Sequence, residues 1–521
     1  MIKLVFIRTD ASQKIGYGHV MRSMSLAEKL RNSGVIVEFI TRNHLGNINE
    51  IIKNNGFTLH LLPLKKKIIK QQGLNKYEQW LGVKQEVDAR ETIQVLRDRK
   101  ADWLIVDHYA LNEIWESKLK PYTKKIMVID DLLNRKHDCD LLLNQNYIND
   151  NTCYDNLISP NTMKLLGPKY ALLRKDFVKY RKEKLRNHDK INRVFLFFGG
   201  SDLDNLTSVS LKALSRPKLK HLIVDVVIGD ANPHKAKLKK EIDKCTNINL
   251  YVQIQNMAEL MAKADIFLGA GGSITWERMS LGLPGAVVTT ANNQVSSTKC
   301  LDQDGYLKWI GGINQVDESK IYHTVLDLIS KPSKLEKQSS DCLKLVEGKG
   351  VDIVSRLLMT GPHTKSLVVR RATKSDLLLY WYWANEIEVR QNAFNQEPIK
   401  LEEHKKWFSK KLNDNNAILL LVESYSNPIG QVHIDRMGSS HYTISYSLAK
   451  QYRGFSLGKE ILKKSINYLK KDQLFTLIAK VKDSNHASKK VFKNLGFTEF
   501  KNHKNSSISN FELQFTPNIH N

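Results

Sequence analysis

The sequence predicts an α/β protein: two Rossmann-like domains followed by a smaller mixed α/β domain. Three observations predict it. Short apolar runs alternate with helical patterns, several of those runs stop at a glycine loop or a carboxylate, and 521 residues are too many for one ordinary core. Hydrophobic residues at 41% and charged residues at 26% are the balance of a folded globular chain rather than a disordered one.

Residues 3–9 read as a strand and 18–33 as the helix that follows, and 35–42 and 47–55 repeat the pair. Trp103–Asp107 and 125–130 are further buried strands, each closing on a carboxylate. Ligands of parallel sheets gather at the carboxyl ends of strands, so Asp107 and Asp130 are expected to face a cleft. The first domain is expected over 1–175. A second, over 190–355, follows the charged stretch 180–192, with strands at 193–198, 221–228, 248–252, 266–268 and 285–288. Residues 355–365, with a Gly-Pro pair, read as a linker to a third domain over 367–521. That domain opens strand-rich, with strands at 417–423, 428–434 and 442–448, and ends helical.

The formal net charge of +26 raises the question of nucleic acid. The lysines are spread along the chain, however, and tracts such as 64–67 and 179–186 are short. A general positive field suits polyanionic small molecules better, and most of the charge reads as solvated surface. No run approaches the roughly 18 apolar residues that span a bilayer, and the apolar start is too short for a signal-peptide core, so no membrane partner is expected. Cys139, Cys153, Cys245, Cys300 and Cys342 lie far apart with no C-x-x-C pair. They read as free thiols of a reducing cytoplasm, with neither a disulfide framework nor a zinc site.

The first strand runs into Gly16-Tyr17-Gly18-His19, then Arg22 on the helix. Glycines at a strand-to-helix turn let backbone amides approach an anion, and the helix dipole helps. The dinucleotide pattern is not met, because its third glycine is missing. His19 admits two readings, a base poised near neutral pH or a helix cap that binds phosphate. The second domain repeats the device at Gly199-Gly200-Ser201 and at Gly269-Ala270-Gly271-Gly272-Ser273. Amides at Gly272 and Ser273 suit a diphosphate, and Glu277, one turn inside the next helix, suits two ribose hydroxyls.

The stretch from Gln253-Ile254-Gln255-Asn256 to Glu277 resembles the UDP-binding half of glycosyltransferase-B enzymes. Further motifs narrow the resemblance: Val106-Asp107-His108-Tyr109, Asp130-Asp131-Leu132, Leu143-Asn144-Gln145-Asn146 and Gly167-Pro168-Lys169-Tyr170. With them, residues 1–350 resemble the UDP-2,4-diacetamido-2,4,6-trideoxy-β-L-altropyranose hydrolases of pseudaminic acid biosynthesis. That resemblance implies cleavage between the anomeric carbon and the UDP oxygen, with His19 activating or orienting the water. It implies UDP and substrate contacts at Gly16, Gly18, Arg22, Asp107, Tyr109, Gly200, Ser201, Gly272, Ser273 and Glu277. Ile254 would meet uracil through its backbone, and Asn293 and Gln294 the sugar. It requires no metal. A glycosyltransferase and a hydrolysing epimerase remain the competing readings of this half.

In the third domain, Leu448 leads to Gln451-Tyr452-Arg453-Gly454-Phe455-Ser456-Leu457-Gly458-Lys459 and a helix. The loop resembles the pyrophosphate-binding motif of GNAT N-acetyltransferases, which implies acetyl-CoA as cosubstrate, held by backbone amides from Arg453 to Lys459. Asn485-His486-Ala487-Ser488 resembles the family's second segment, which implies that Asn485 meets the pantetheine arm. Phe492 replaces a tyrosine that often protonates the leaving thiolate, so the proton donor is open. The segment from Trp383 to Phe408 is similar to acetyltransferases acting on 4-amino groups of nucleotide-linked deoxysugars. His404, Glu403 and His433 are candidate bases, each with a structural reading beside it, and Trp381, Trp383, Trp407 and Phe408 read as core. Acetylation of a protein amine is the alternative.

Overall fold

The computed structural model describes residues 2–64, 77–150, 152–181, 190–230, 232–361, 367–424, 427–469, 475–501 and 507–515, without the Gln451 and Lys501 side chains. The lysine tracts 64–67 and 179–186 lie largely outside those residues. The chain forms two compact units, Met1–Ser159 with Lys164–Leu358, and Pro160–Met163 with Met359–Asn521.

The first unit holds two sheets. Strands β1 (Leu4–Thr9), β2 (Ile36–Arg42), β3 (Thr58–Leu62), β4 (Trp103–Asp107), β5 (Ile126–Ile129), β6 (Leu141–Asn144) and β7 (Met163–Leu166) lie in the order β3-β2-β1-β4-β5-β6-β7. Strands β8 (Arg193–Phe197), β9 (Ile223–Ile228), β10 (Ile248–Val252), β11 (Ile266–Ala270), β12 (Gly285–Thr289) and β13 (Lys308–Gly312) lie in the order β10-β9-β8-β11-β12-β13. Ile7 pairs with Ile105 and Leu268 with Leu196, both in parallel register. Helices cover both faces of such sheets, so the central strands read as unbroken apolar runs: Val5, Phe6, Ile7, Leu104 and Ile105 are all fully buried. Burying each such side chain contributes about 1.5–3 kcal/mol. Strand order reverses between β1 and β4, and again between β8 and β11, which is where loops part and a ligand can enter.

Helix Gly350–Thr360 changes the expected boundary. Val354, Leu357 and Leu358 are buried at helical spacing, so residues 355–360, expected as linker, continue the helix, and its buried residues as far as Leu358 pack within the first unit. Trp103 Nε1 donates to the Leu358 carbonyl at 3.1 Å. A Cβ on Gly350 would fall 2.2 Å from the Ala171 carbonyl oxygen, which makes glycine the residue that lets the helix approach. Residues 362–366 lie outside the described set.

The second unit is one mixed sheet: β14 (Leu367–Arg371), β15 (Ala417–Ser424), β16 (Asn427–Arg436), β17 (His441–Leu448), β18 (Phe475–Lys482), β19 (Thr498–Lys501) and β20 (Ile508–Phe515). Their order is β14-β15-β16-β17-β18-β20-β19. The pairs are antiparallel except β17 with β18, which run parallel and meet only where 441–443 face 476–478. Helices Leu457–Tyr468 and His486–Asn494 follow β17 and β18. Among the described residues no helix is long and apolar enough to cross a membrane.

Candidate functional sites

Both reversals of strand order in the first unit open on one cavity of about 630 Å³, within the range of small-molecule sites. From the first half, Gly16, Gly18, His19, Arg22 and Tyr109 reach it; from the second, Ser201, Gly272, Ser273, Asn293 and Gln294 do. A Cβ on Gly18 would stand 3.4 Å from Ser273 Oγ, so the opposing loops nearly touch there. Gly272 has φ +100°, which favours glycine. The amides of Gly18, His19, Gly200, Ser201, Gly272 and Ser273 have no acceptor among the described residues. Amides grouped at helix starts and turns make a ready anion cradle.

Asp107 ends β4 and organises the first wall. Its carboxylate takes His19 Nδ1 at 2.6 Å and both Arg22 Nε and Arg22 Nη2 at 2.7 Å. Because the carboxylate can only accept, Nδ1 carries a proton, and in the neutral imidazole the lone pair is therefore on Nε2, on the side away from Asp107. Burial alone would raise the Asp107 carboxyl, but the Arg22 guanidinium, then His19, hold it well below the ordinary carboxylate range. Arg22 Nη1 also meets Asp131 at 2.6 Å, and the Tyr109 hydroxyl donates to the same carboxylate oxygen at 2.7 Å. Burial, and then Asp131, push the Tyr109 phenol up.

Several predicted residues stand elsewhere. Asp107 is wholly buried and reaches the cavity only through the two side chains it holds, His19 and Arg22. Asp130 is turned into the protein, against Arg135 at 2.8 Å and the Tyr154 hydroxyl, also at 2.8 Å, and its neighbour Asp131 reaches the cavity instead. Gly200 lies behind the lining, its carbonyl taking the Gly229 amide at 2.9 Å. Ile254 packs against the second sheet's core. Glu277 lines a small adjoining cavity, 3.2 Å from Arg174 Nε. Sequence reasoning missed Tyr77 and Trp80. Trp80 stacks on Tyr109 with centroids 5.8 Å apart, and Tyr77 meets both rings edge-on. Two aromatics beside a polar stretch that predicts no element were the available signal.

In the second unit, the loop after β17 turns at Gly454 (φ +83°) and Ser456 (φ +56°), then starts the helix at Leu457 and Gly458. The amides of Gly454, Ser456, Leu457, Gly458 and Lys459 have no acceptor among the described residues; Phe455 is engaged. The Arg453 side chain is held inward: Nε donates to the Leu448 carbonyl at 3.0 Å, and the guanidinium pairs with Glu386 and Glu388. Asn485 Oδ1 caps the next helix by accepting from the Ser488 amide at 3.0 Å.

Of the candidate bases, Glu403 is exposed and His404 is buried, its ring stacked on Phe408. His433, half-buried, stands 3.0 Å from Asp435 with Trp407 edge-on. Burial pushes both imidazoles below their ordinary value, and Asp435 partly opposes this at His433. Trp383 and Phe408 are core, whereas Trp407 is 38% exposed.

The chain is thus two parallel-sheet Rossmann-like domains followed by a mixed-sheet GNAT-type domain, each part with an amide-lined loop cluster. Residues 194–350 match the glycosyltransferase family 28 C-terminal domain, and residues 366–498 match the acetyltransferase (GNAT) domain. The chain is 26% identical over 515 residues to an uncharacterized protein of Methanocaldococcus jannaschii, covering 95% of this chain and 97% of that one. It is 29% identical over 304 residues to the UDP-2,4-diacetamido-2,4,6-trideoxy-beta-L-altropyranose hydrolase of Campylobacter jejuni, covering 58% of this chain and 97% of the relative. A spore coat polysaccharide biosynthesis protein of Bacillus subtilis is 26% identical over 360 residues, covering 68% of this chain and 97% of the relative.

Proposed function

We propose that the first unit hydrolyses a UDP-linked diacetamido-trideoxysugar to UDP and free sugar, and that the second N-acetylates the 4-amino precursor of that substrate with acetyl-CoA. The observation that carries the hydrolase reading is the His19–Asp107 pair, aimed into a cavity whose other wall is a cradle of free amides. His19 Nε2 accepts a proton from water as the water oxygen attacks the anomeric carbon. The bond to the UDP oxygen breaks, and the charge that gathers on the diphosphate is met by the amides of Ser201, Gly272 and Ser273. Tyr109, Trp80 and Tyr77 form an aromatic wall beside His19 that suits the sugar's apolar 6-deoxy face and acetamido groups.

In the second unit the amides of the 454–459 loop would bind the coenzyme pyrophosphate, with the helix dipole adding to them. His433, kept neutral by burial, is the best placed of the three bases to take the proton that the substrate ammonium must lose before it attacks.

Incubation with the UDP-diacetamido sugar and no acceptor tests the hydrolase. Wild-type chain releases UDP and free sugar, oxygen-18 from water enters the sugar rather than UDP, and His19→Ala loses the reaction. A need for an acceptor hydroxyl sinks this reading in favour of glycosyl transfer, which the match to a glycosyltransferase domain equally supports.

A further inference from the structure

Acetyl transfer from a thioester expels a thiolate, so some group must hand sulfur a proton. This inference rests on the acetyltransferase reading above. The mixed sheet splits where that group would be needed: β17 leaves β18 after residue 443 but stays paired with β16 to Leu448, and β18 stays paired with β20. Side chains alternate along β17, so Ser445 and Ser447 lie on one face with the partner of Ser447, Gln431. Tyr446 lies on the other face, against both helices that follow the split.

Its hydroxyl is 3.3 Å from Ser488 Oγ on helix His486–Asn494, and its ring is edge-on to Phe492, centroids 5.8 Å apart. A Cβ on Gly458 would fall 3.4 Å from the same hydroxyl. One phenol therefore touches the strand, the amide-rich loop and the capped helix, the three elements that converge on the coenzyme arm. Phe492, the nearest aromatic on that helix, has no proton to give.

We propose that Tyr446 is the acid of acetyl transfer. The amine lone pair forms the C–N bond at the thioester carbonyl, the C–S bond breaks with its electron pair on sulfur, and the Tyr446 phenol protonates the sulfur. The proton lost by the former amine nitrogen returns to the phenolate through the Ser488 hydroxyl, leaving amide and free thiol. Burial pushes the Tyr446 phenol up, which keeps it protonated at neutral pH.

The test uses the full chain with acetyl-CoA and a UDP-4-amino sugar, following thiol release. Tyr446→Phe is expected to lower kcat by roughly 10²-fold, to keep the calorimetric Kd for acetyl-CoA, and to erase the alkaline limb of the pH–rate profile. Adding Phe492→Tyr to that variant is expected to restore most of the rate, because the second ring abuts the first. Tyr446→Phe turning over like wild type, or losing acetyl-CoA affinity in step with rate, overturns the assignment. A wild-type chain that binds acetyl-CoA yet acetylates no amino sugar overturns the acetyltransferase reading itself, and this inference with it.

Discussion

Asp107 divides its two oxygens between positioning and charge. One oxygen fixes the His19 tautomer while both hold Arg22, which in turn holds Asp131 against Tyr109. Asp107→Asn keeps the shape but offers an amide that can donate to Nδ1, turning the imidazole's lone pair away from the cavity. The expected outcome is a kcat for UDP release lower by roughly 10²–10⁴-fold, with a Kd for UDP close to wild type. Circular dichroism and Tm check that Arg22, left with less negative charge, has not unfolded the site; a folded variant within threefold of wild-type kcat would remove Asp107 from the mechanism. His19 and Asp107 were legible in the sequence because each sits beside a strong local signal, a Gly-x-Gly turn and the end of an apolar run. Which of Asp130 and Asp131 reaches the cavity was not legible. Adjacent residues after a strand point to opposite sides, and only the packing of Arg135, His137 and Tyr154 around Asp130 decides it.

At the scale of elements, the sequence showed where strands run but not where they stop pairing. The apolar runs of β1, β4 and β11 are specified by burial on both faces, a property each run carries alone. β3, β6, β7 and β13 are short or half-polar, and become strands only because a neighbour's edge is free. The split between β17 and β18 is likewise a property of two strands and was invisible in either. Elements are also braced by buried charge. His137 Nδ1 lies 2.7 Å from Glu116 on helix Glu113–Leu119, and Nε2 lies 3.8 Å from Asp130 after β5. Burial lowers the His137 pKa, but Asp130 and Glu116 outweigh it and raise it to about 9 from the ordinary 6.5. A raised pKa means the native state binds the proton more tightly than the unfolded chain does. This stabilisation is therefore complete below about pH 6.5 and lost as pH rises through about 9. Against His137→Gln, the wild-type advantage in Tm is expected to be largest at pH 6 and to shrink steadily towards pH 9.5. An advantage that is flat or grows with pH across that range contradicts the brace.

For the whole molecule, what matters is that a Rossmann-like pair and a GNAT-type domain share one chain, an arrangement whose full length the 515-residue match to the M. jannaschii relative also spans. If the acetylated nucleotide sugar made by one unit is the substrate of the other, hydrolysis must wait for acetylation. The reason lies in the chemistry of the two groups: a site that accepts a neutral acetamido group loses apolar contact, and must strip water from a charge, if it meets an ammonium instead. Given UDP-4-amino sugar and acetyl-CoA together, the full chain is expected to release thiol first and UDP after a lag. The His19→Asn chain is expected to halt at the diacetamido nucleotide sugar, which mass spectrometry identifies by its added acetyl group. Without acetyl-CoA, UDP release from the amino sugar should be slow in both. UDP appearing as fast without acetyl-CoA as with it would break the proposed order, and the two units would then be partners in location only.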